Sequence, residues 1–131
     1  MYLRRFYFII LVYVNLKMEY DTKDKTFWKR KGNDMKVLLG AVNAKYIHSN
    51  LAVYCLKAYA EKYGDTSDEI SIGEYTINQQ LDEILRDIYK RKPDMLCLSC
   101  YIWNLTYVEE ICREIKKVMP QIIIWIGGPE V

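Results

Sequence analysis

The chain has 131 residues, 51% of them apolar, with 19 basic and 17 acidic side chains and a net charge of +2. That is one domain's worth of chain with enough apolar material for a core, and so even a balance gives no electrostatic case for a nucleic-acid partner. Four cysteines, Cys55, Cys97, Cys100 and Cys112, without a convincing mark of secretion, point to reduced thiols and a cytoplasmic location.

Residues 1–16 read MYLRRFYFIILVYVNL, two arginines ahead of an apolar run over 6–14. This looks like the start of a signal peptide, but no small-residue cleavage site follows. The run is also shorter than the ~20 residues a membrane-spanning helix needs. Residues 17–34 are charged and without a sustained period, so they read as linker. The expectation is an N-terminal extension over 1–34 outside the fold, and a folded unit that starts at Met35. A membrane-surface anchor is the alternative, and no firm membrane association is expected.

From Met35 onward, strand and helix patterns alternate. Residues 36–42 form a continuous apolar run, the pattern of a strand buried on both faces. A polar loop over 43–50 follows, with Ser49 or Asn50 placed to cap a helix. That helix carries Leu51, Cys55, Ala58, Tyr59 and Lys62 at helical spacing, and Gly64 closes it. Residues 69–77 alternate as a second strand, with Gly73 a candidate bulge. Asn78 precedes a helix with Leu81, Ile84, Leu85 and Ile88 on one face, basic residues at its end and Pro93 as its stop. Residues 95–100 are a third buried strand. Asn104 or Thr106 opens a third helix, where Thr106 and Glu109 match a capping box, with Val108, Ile111, Cys112, Ile115 and Val118 as the apolar face. Pro120 ends it, 122–126 is a fourth strand, and Gly127-Gly128-Pro129-Glu130 turns out of it.

Four strands alternating with three helices imply right-handed crossovers and an α/β, three-layer domain of flavodoxin-like, Rossmann-like type. The strands are expected to lie parallel, the first beside both the second and the third, and the fourth outside the third. Ligands of such sheets bind beyond the carboxyl ends of the strands near the switch point, which singles out four loops.

The first loop, NAKYIHSN, is longer and more polar than a plain connection needs. It reads as a binding loop, against the alternative of a long surface loop with a capped helix. His48 is the chain's one histidine, and without partner ligands it makes a poor protein-only metal site. In SCYIWN, Tyr101 and Trp103 stand at a strand end, where they could cover a flat ligand or cap the core. Gly127 and Gly128 permit close backbone approach to a ligand, or only a tight turn. Cys97 and Cys100 form a C-x-x-C, but residues three apart along a strand point to opposite faces, so neither redox chemistry nor a metal is expected of them. A dinucleotide glycine fingerprint, a P-loop and a nucleophile–histidine set are missing from the sequence.

Three segments taken together, MKVLLGAVNAKYIHSNLAVYCLKAY, CLSCYIWN and WIGGPEV, resemble the N-terminal cobalamin-binding domain of radical S-adenosylmethionine (SAM) proteins. Their order and spacing match that family over 35–131, about three quarters of the chain. The resemblance implies a five-stranded parallel sheet, with a corrin over the strand ends and a nucleotide tail reaching down between sheet and helices. It implies that Asn43, Ala44, Lys45, Tyr46, Ser49, Asn50 and Leu51 border the corrin and tail. Ser99, Cys100, Tyr101 and Asn104 would line the opposite side, with Ser99 as a hydrogen-bond donor. Gly127, Gly128, Pro129 and Glu130 would let the tail pass close to backbone.

Two departures stand out. The Asp-x-His-x-x-Gly motif of methionine synthase-type domains is not met, since Tyr46 stands two before His48 and Leu51 three after it. The cysteine triplet of the iron–sulfur cluster, a fifth strand and its helix are not in the sequence either, so the domain is expected to be C-terminally incomplete. The expected role is a cobalamin carrier for a downstream radical SAM domain, where the iron–sulfur cluster and SAM would sit and catalysis would occur. A flavodoxin-like signalling or binding domain without cobalamin, or a fragment inactive alone, are the alternatives. A receiver domain would need an Asp after the third strand, where Ser99-Cys100-Tyr101 stands.

Overall fold

The computed structural model describes residues 35–45, 47, 49–63 and 68–129. The expected extension over 1–34, its anchor alternative and the helix stop at Gly64 lie outside them. The described chain runs β1 (Lys36–Asn43), α1 (Leu51–Tyr63), β2 (Glu69–Thr76), α2 (Leu81–Arg91), β3 (Met95–Ser99), α3 (Leu105–Val118) and β4 (Ile123–Gly127). The four strands form one parallel sheet in the order β2-β1-β3-β4, the arrangement expected from the sequence. The chain moves outward from β1 to β2, then crosses back to β3 and β4. Right-handed crossovers therefore put α1 on one face and α2 and α3 on the other.

Alternation along each strand builds the two cores. On one face Leu38, Val42, Leu96 and Leu98 meet Ile84 and Ile88 of α2 and Val108, Ile111 and Ile115 of α3. On the other, Val37, Leu39, Ala41 and Met95 meet Val53 of α1, with Leu56, Cys97, Ile123 and Trp125 half-buried around them. One helix covers this second face and two cover the first. The strip of β3 and β4 beside α1 is consequently the less protected part of the sheet.

Several local expectations change. The face of α1 expected to be apolar, through Leu51 and Cys55, is exposed, and Val53 is the helix's buried residue. The helix is nearly uniform in apolar and small residues, so its period has more than one phase. The Asn50 cap and the packing of Val53 and Leu56 select one of them. Gly73 is not a bulge, because the β1–β2 register runs unbroken through Gly40 and Gly73. A side chain there would meet the Tyr75 ring, with its hydroxyl at 2.6 Å from the added carbon. That hydroxyl donates to Asp87 Oδ2 at 2.7 Å, and burial together with the Asp87 carboxylate pushes its pKa up. Gln80, not Asn78, is the N-cap of α2, and no side chain closes that cap. Asp82 and Glu83 in the first turn offset the exposed N–H groups instead. Lys92 ends α2 in the left-handed conformation at φ 47°, and Pro93 follows. Helix α3 starts at Leu105, so Thr106 is already helical and the capping box is not used. Val118, on its expected apolar face, is exposed.

Among the described residues, no helix is long and apolar enough to cross a membrane.

Candidate functional site

The chain winds one way from β1 to β2 and the other way from β3 to β4, so the carboxyl ends of β1 and β3 flank a crevice. The structure brings Asn43, Asn50, Ser99, Cys100, Tyr101, Asn104, Gly127 and Gly128 to this edge. Ala44, Lys45, Ser49 and Leu51 also lie there but are exposed, and Pro129 is half-buried beyond β4. Tyr46, His48 and Glu130 lie outside the described residues.

Asn104 organises the middle of the site. It has no exposed surface. Its Nδ2 donates to the carbonyls of Val42 and Ser99, each at 3.0 Å, and its Oδ1 accepts from Tyr101 N–H at 2.7 Å. It thus ties the end of β1 to the end of β3 and shapes the turn that carries Tyr101 and Trp103. Those two rings stack with centroids 4.5 Å apart and planes 9° from parallel. Trp103 is 48% and Ile102 76% exposed, so the pair presents a flat apolar platform and does not cap the core.

Ser99 ends β3, buried, and its Oγ accepts from Asn50 Nδ2 at 3.0 Å. Asn50 Oδ1 in turn accepts from Ala52 N–H at 3.1 Å, so Asn50 is the cap of α1. Glu74, which was not among the residues expected at the site, holds this corner. Its Oε1 accepts from Asn50 N–H at 3.2 Å and from Asn43 Nδ2 at 3.3 Å, and its Oε2 accepts from the Tyr54 hydroxyl at 2.8 Å. That hydrogen bond, with lesser help from desolvation and the carboxylate's charge, raises the Tyr54 pKa.

Below Ser99, on the α1 face, lies a narrow cleft lined by Leu39, Val53, Leu56, Cys97, Trp125 and Ile126, with Ser99 and Gly127 at the strand ends. Its walls are almost wholly apolar, and a flat ring would have to part the side chains that line it. The expected site residues did not include Leu56, Trp125 or Ile126; Leu56 reaches the cleft through the packing of α1 on the sheet, and Trp125 and Ile126 because β4 lies beside β3. At the end of β2, the Thr76 hydroxyl is buried without a hydrogen-bond partner.

Gly128 has φ 136°, and a Cβ there would overlap the Cys100 carbonyl oxygen. Cys100 N–H donates to Gly127 O at 2.6 Å. The glycine at 128 therefore serves a close approach of backbone to backbone within the chain.

Cys97 and Cys100 fall on opposite faces, one among the α1-side residues and one in the α2–α3 core. Burial pushes the Cys97 thiol up to about 12. Among the described residues, no group of three or more His, Cys, Asp and Glu is placed to hold a metal ion. Thiolate is the reactive form, so a maleimide at pH 7.5 should label exposed Cys55 first, while Cys97 and Cys100 stay unlabelled until denaturant is added. Peptide mass mapping over a time course checks this, and early labelling of Cys97 would contradict its burial between α1 and the sheet.

Residues 35–131 match the B12 binding domain family. A stretch of 40 residues is 38% identical to the cobalamin-dependent radical SAM methyltransferase TokK of Streptomyces tokunonensis, covering 30% of this chain and 6% of that protein. A stretch of 39 residues is 41% identical to the 2-(S-pantetheinyl)-carbapenam-3-carboxylate methyltransferase of Streptantibioticus cattleyicolor, again 30% of this chain and 6% of the relative. These matches span only a small part of either relative.

Proposed function

The chain belongs to the B12 binding domain family, and we propose that its strand-end crevice holds cobalamin and presents it to a radical SAM domain of the same or a partner chain. The observation that carries this reading is the cleft itself. It is an apolar slot at the switch point, with one buried hydroxyl, Ser99, at the strand end and a stacked aromatic platform beside it.

The residues fit the group in kind. The corrin would rest over the ends of β1 and β3, against Asn43 to Leu51 on one side and Tyr101 and Trp103 on the other. The nucleotide tail would descend past Ser99 and Gly127 into the slot between α1 and the sheet. The donors and carbon walls suit an amphipathic ligand with a polar rim and an aromatic end. Bound cobalamin supplies a cobalt centre able to carry a methyl group. What this chain contributes is binding, orientation and exclusion of water. Similarity to two methyltransferases supports methyl transfer as the reaction served, with the iron–sulfur cluster and SAM held by the radical SAM domain. Cytoplasmic residence accords with four cysteines and no disulfide among the described residues.

Titration of the chain with hydroxocobalamin, followed in the visible spectrum, tests the proposal. Saturable binding with a spectral change is expected. His48→Ala should leave that spectrum unchanged, because the Asp-x-His-x-x-Gly frame is missing and an imidazole without its orienting carboxylate is a weak ligand. No binding, or a spectrum that depends on His48, would refute the reading or the cofactor placement respectively.

A further inference from the structure

This inference rests on the cofactor reading above. We propose that Glu74 of β2 is the remote half of a capping box for α1, and that it thereby positions this helix as one wall of the cofactor cleft.

Helix α1 is weakly held. It has 13 residues and one buried side chain, Val53, and a helix of that length is marginal unless its end or its face is secured. Its first turn carries no acidic residue, so nothing within the helix offsets the partial positive charge of its free N–H groups. In a capping box the cap side chain takes an N–H of the first turn, and a Glu or Gln three residues on returns to the cap's own N–H. Asn50 makes the first of these bonds, accepting from Ala52 N–H at 3.1 Å. Three residues on stands Val53, which is buried and has no acceptor to make the second. Glu74 makes it instead, from 24 residues away, its Oε1 accepting from Asn50 N–H at 3.2 Å.

A remote partner does what a local one could not. The same carboxylate accepts from Asn43 Nδ2 at the end of β1 at 3.3 Å, and from the Tyr54 hydroxyl in the first turn of α1 at 2.8 Å. Capping the helix therefore also fixes its distance from the sheet. That distance is the width of the cleft, whose walls are Val53 and Leu56 on one side and Leu39, Cys97 and Trp125 on the other. Val53 stands in the turn that Glu74 secures, and Leu56 follows one turn later. Glu74 itself is not among the lining side chains, so it is a positioning residue. With it, the α1 wall is built in the free chain. Without it, the ligand must order the helix end as it binds, and affinity falls with the fraction of molecules in which that end is formed.

Glu74→Ala in the full chain tests this first without cofactor, by amide hydrogen exchange. Loss of a cap shifts the opening of a helix end by roughly tenfold, so the Asn50, Ala52 and Val53 amides should exchange about that much faster. The Leu96 and Ile111 resonances, in β3 and α3, should stay at the parent's positions. Glu74→Gln keeps an oxygen for Asn50 N–H and Asn43 Nδ2, and turns an NH2 group to the Tyr54 hydroxyl, which can accept it. It should fall short of the parent only by the lost charge, about threefold. Hydroxocobalamin should bind Glu74→Ala roughly tenfold more weakly than the parent, and Glu74→Gln with most of that loss recovered. First-turn amides as slow in Glu74→Ala as in the parent, or as fast in Glu74→Gln as in Glu74→Ala, would overturn the proposal. Resonances of Leu96 and Ile111 that move as well would overturn a role confined to the helix end. Fast first-turn amides with undiminished hydroxocobalamin affinity would overturn the role in the cleft. A parent chain that takes up no cobalamin refutes the cofactor reading, while the exchange rates still decide whether Glu74 caps α1.

Discussion

Replacing Gly128 by alanine should destabilise the chain by roughly 3 kcal/mol or more, before any ligand is considered. Two effects combine. At φ 136° a residue with a Cβ is strained whatever the space around it. The added carbon also overlaps the Cys100 carbonyl oxygen and would sit 2.9 Å from Cys100 N. Both are backbone atoms, so no side chain can swing away to relieve the contact. Moving the backbone instead would break the Cys100 N–H bond to Gly127 O, the last link between β3 and β4. A domain of this size has only about 5–15 kcal/mol in total, so a large share of molecules would be unfolded at moderate urea. Equilibrium denaturation of the free chain measures the effect. Gly127→Ala is the control, because Gly127 has no positive φ and carries no such backbone strain. If Gly128→Ala unfolds at the parent's midpoint, the close approach described here is wrong. The comparison matters for reading binding data too. Lost cobalamin binding in a Gly128 variant would report a broken strand end before it reported on the proposed path of the tail, whereas Gly127 variants test that proposal.

The two glycines show how far the sequence could be read. Their adjacency after an apolar run signalled a strand end where backbone comes close to something. It could not say to what, because the partner, Cys100, is 28 residues away in sequence and meets Gly128 only once β3 and β4 pair. The strand order was legible for a simpler reason. Continuous apolar runs mark strands buried on both faces, and right-handed crossovers leave few ways to arrange four of them. Helix faces were harder. In α2 and α3 polar residues fix the phase, and Ile84, Ile88, Val108, Ile111 and Ile115 are buried as expected. In α1 the composition is too even to fix a phase, and the expected stripe through Leu51 and Cys55 is exposed. Glu74 escaped notice because an exposed carboxylate on an edge strand carries no local signal. Its role depends on Asn43, Asn50 and Tyr54 arriving from elsewhere.

Asn104 carries the last expectation. It stands at the N-cap of α3 as expected, but its side chain makes no cap hydrogen bond and bonds instead to the Val42 and Ser99 carbonyls and the Tyr101 N–H. Asn104→Asp keeps the shape and the acceptor for Tyr101 N–H. It removes the donor that serves the Val42 and Ser99 carbonyls and sets a buried anion against them. Two carbonyls left without a donor, at about 1–3 kcal/mol each, put the loss at roughly 4 kcal/mol near neutral pH. The sign of its pH dependence follows from the same geometry. When protonated, the introduced carboxyl regains one O–H donor, and burial also disfavours its charged form, so its pKa in the folded chain lies above the unfolded value of about 3.9. The folded state then binds the extra proton. Relative to the parent, the variant should be least impaired below about pH 4 and should lose stability as pH rises through the folded-state pKa. Asn104→Ala introduces no titrating group, so its deficit should stay flat over the same range. Urea denaturation of the parent and both variants at a series of pH values reads this as a difference of midpoints. A flat difference for Asn104→Asp would mean that the side chain at 104 does not face the two carbonyls. The slope would instead show that the Asn104 amide ties the turn bearing Tyr101 and Trp103 to β1, and that the platform beside the cleft is built before any ligand arrives.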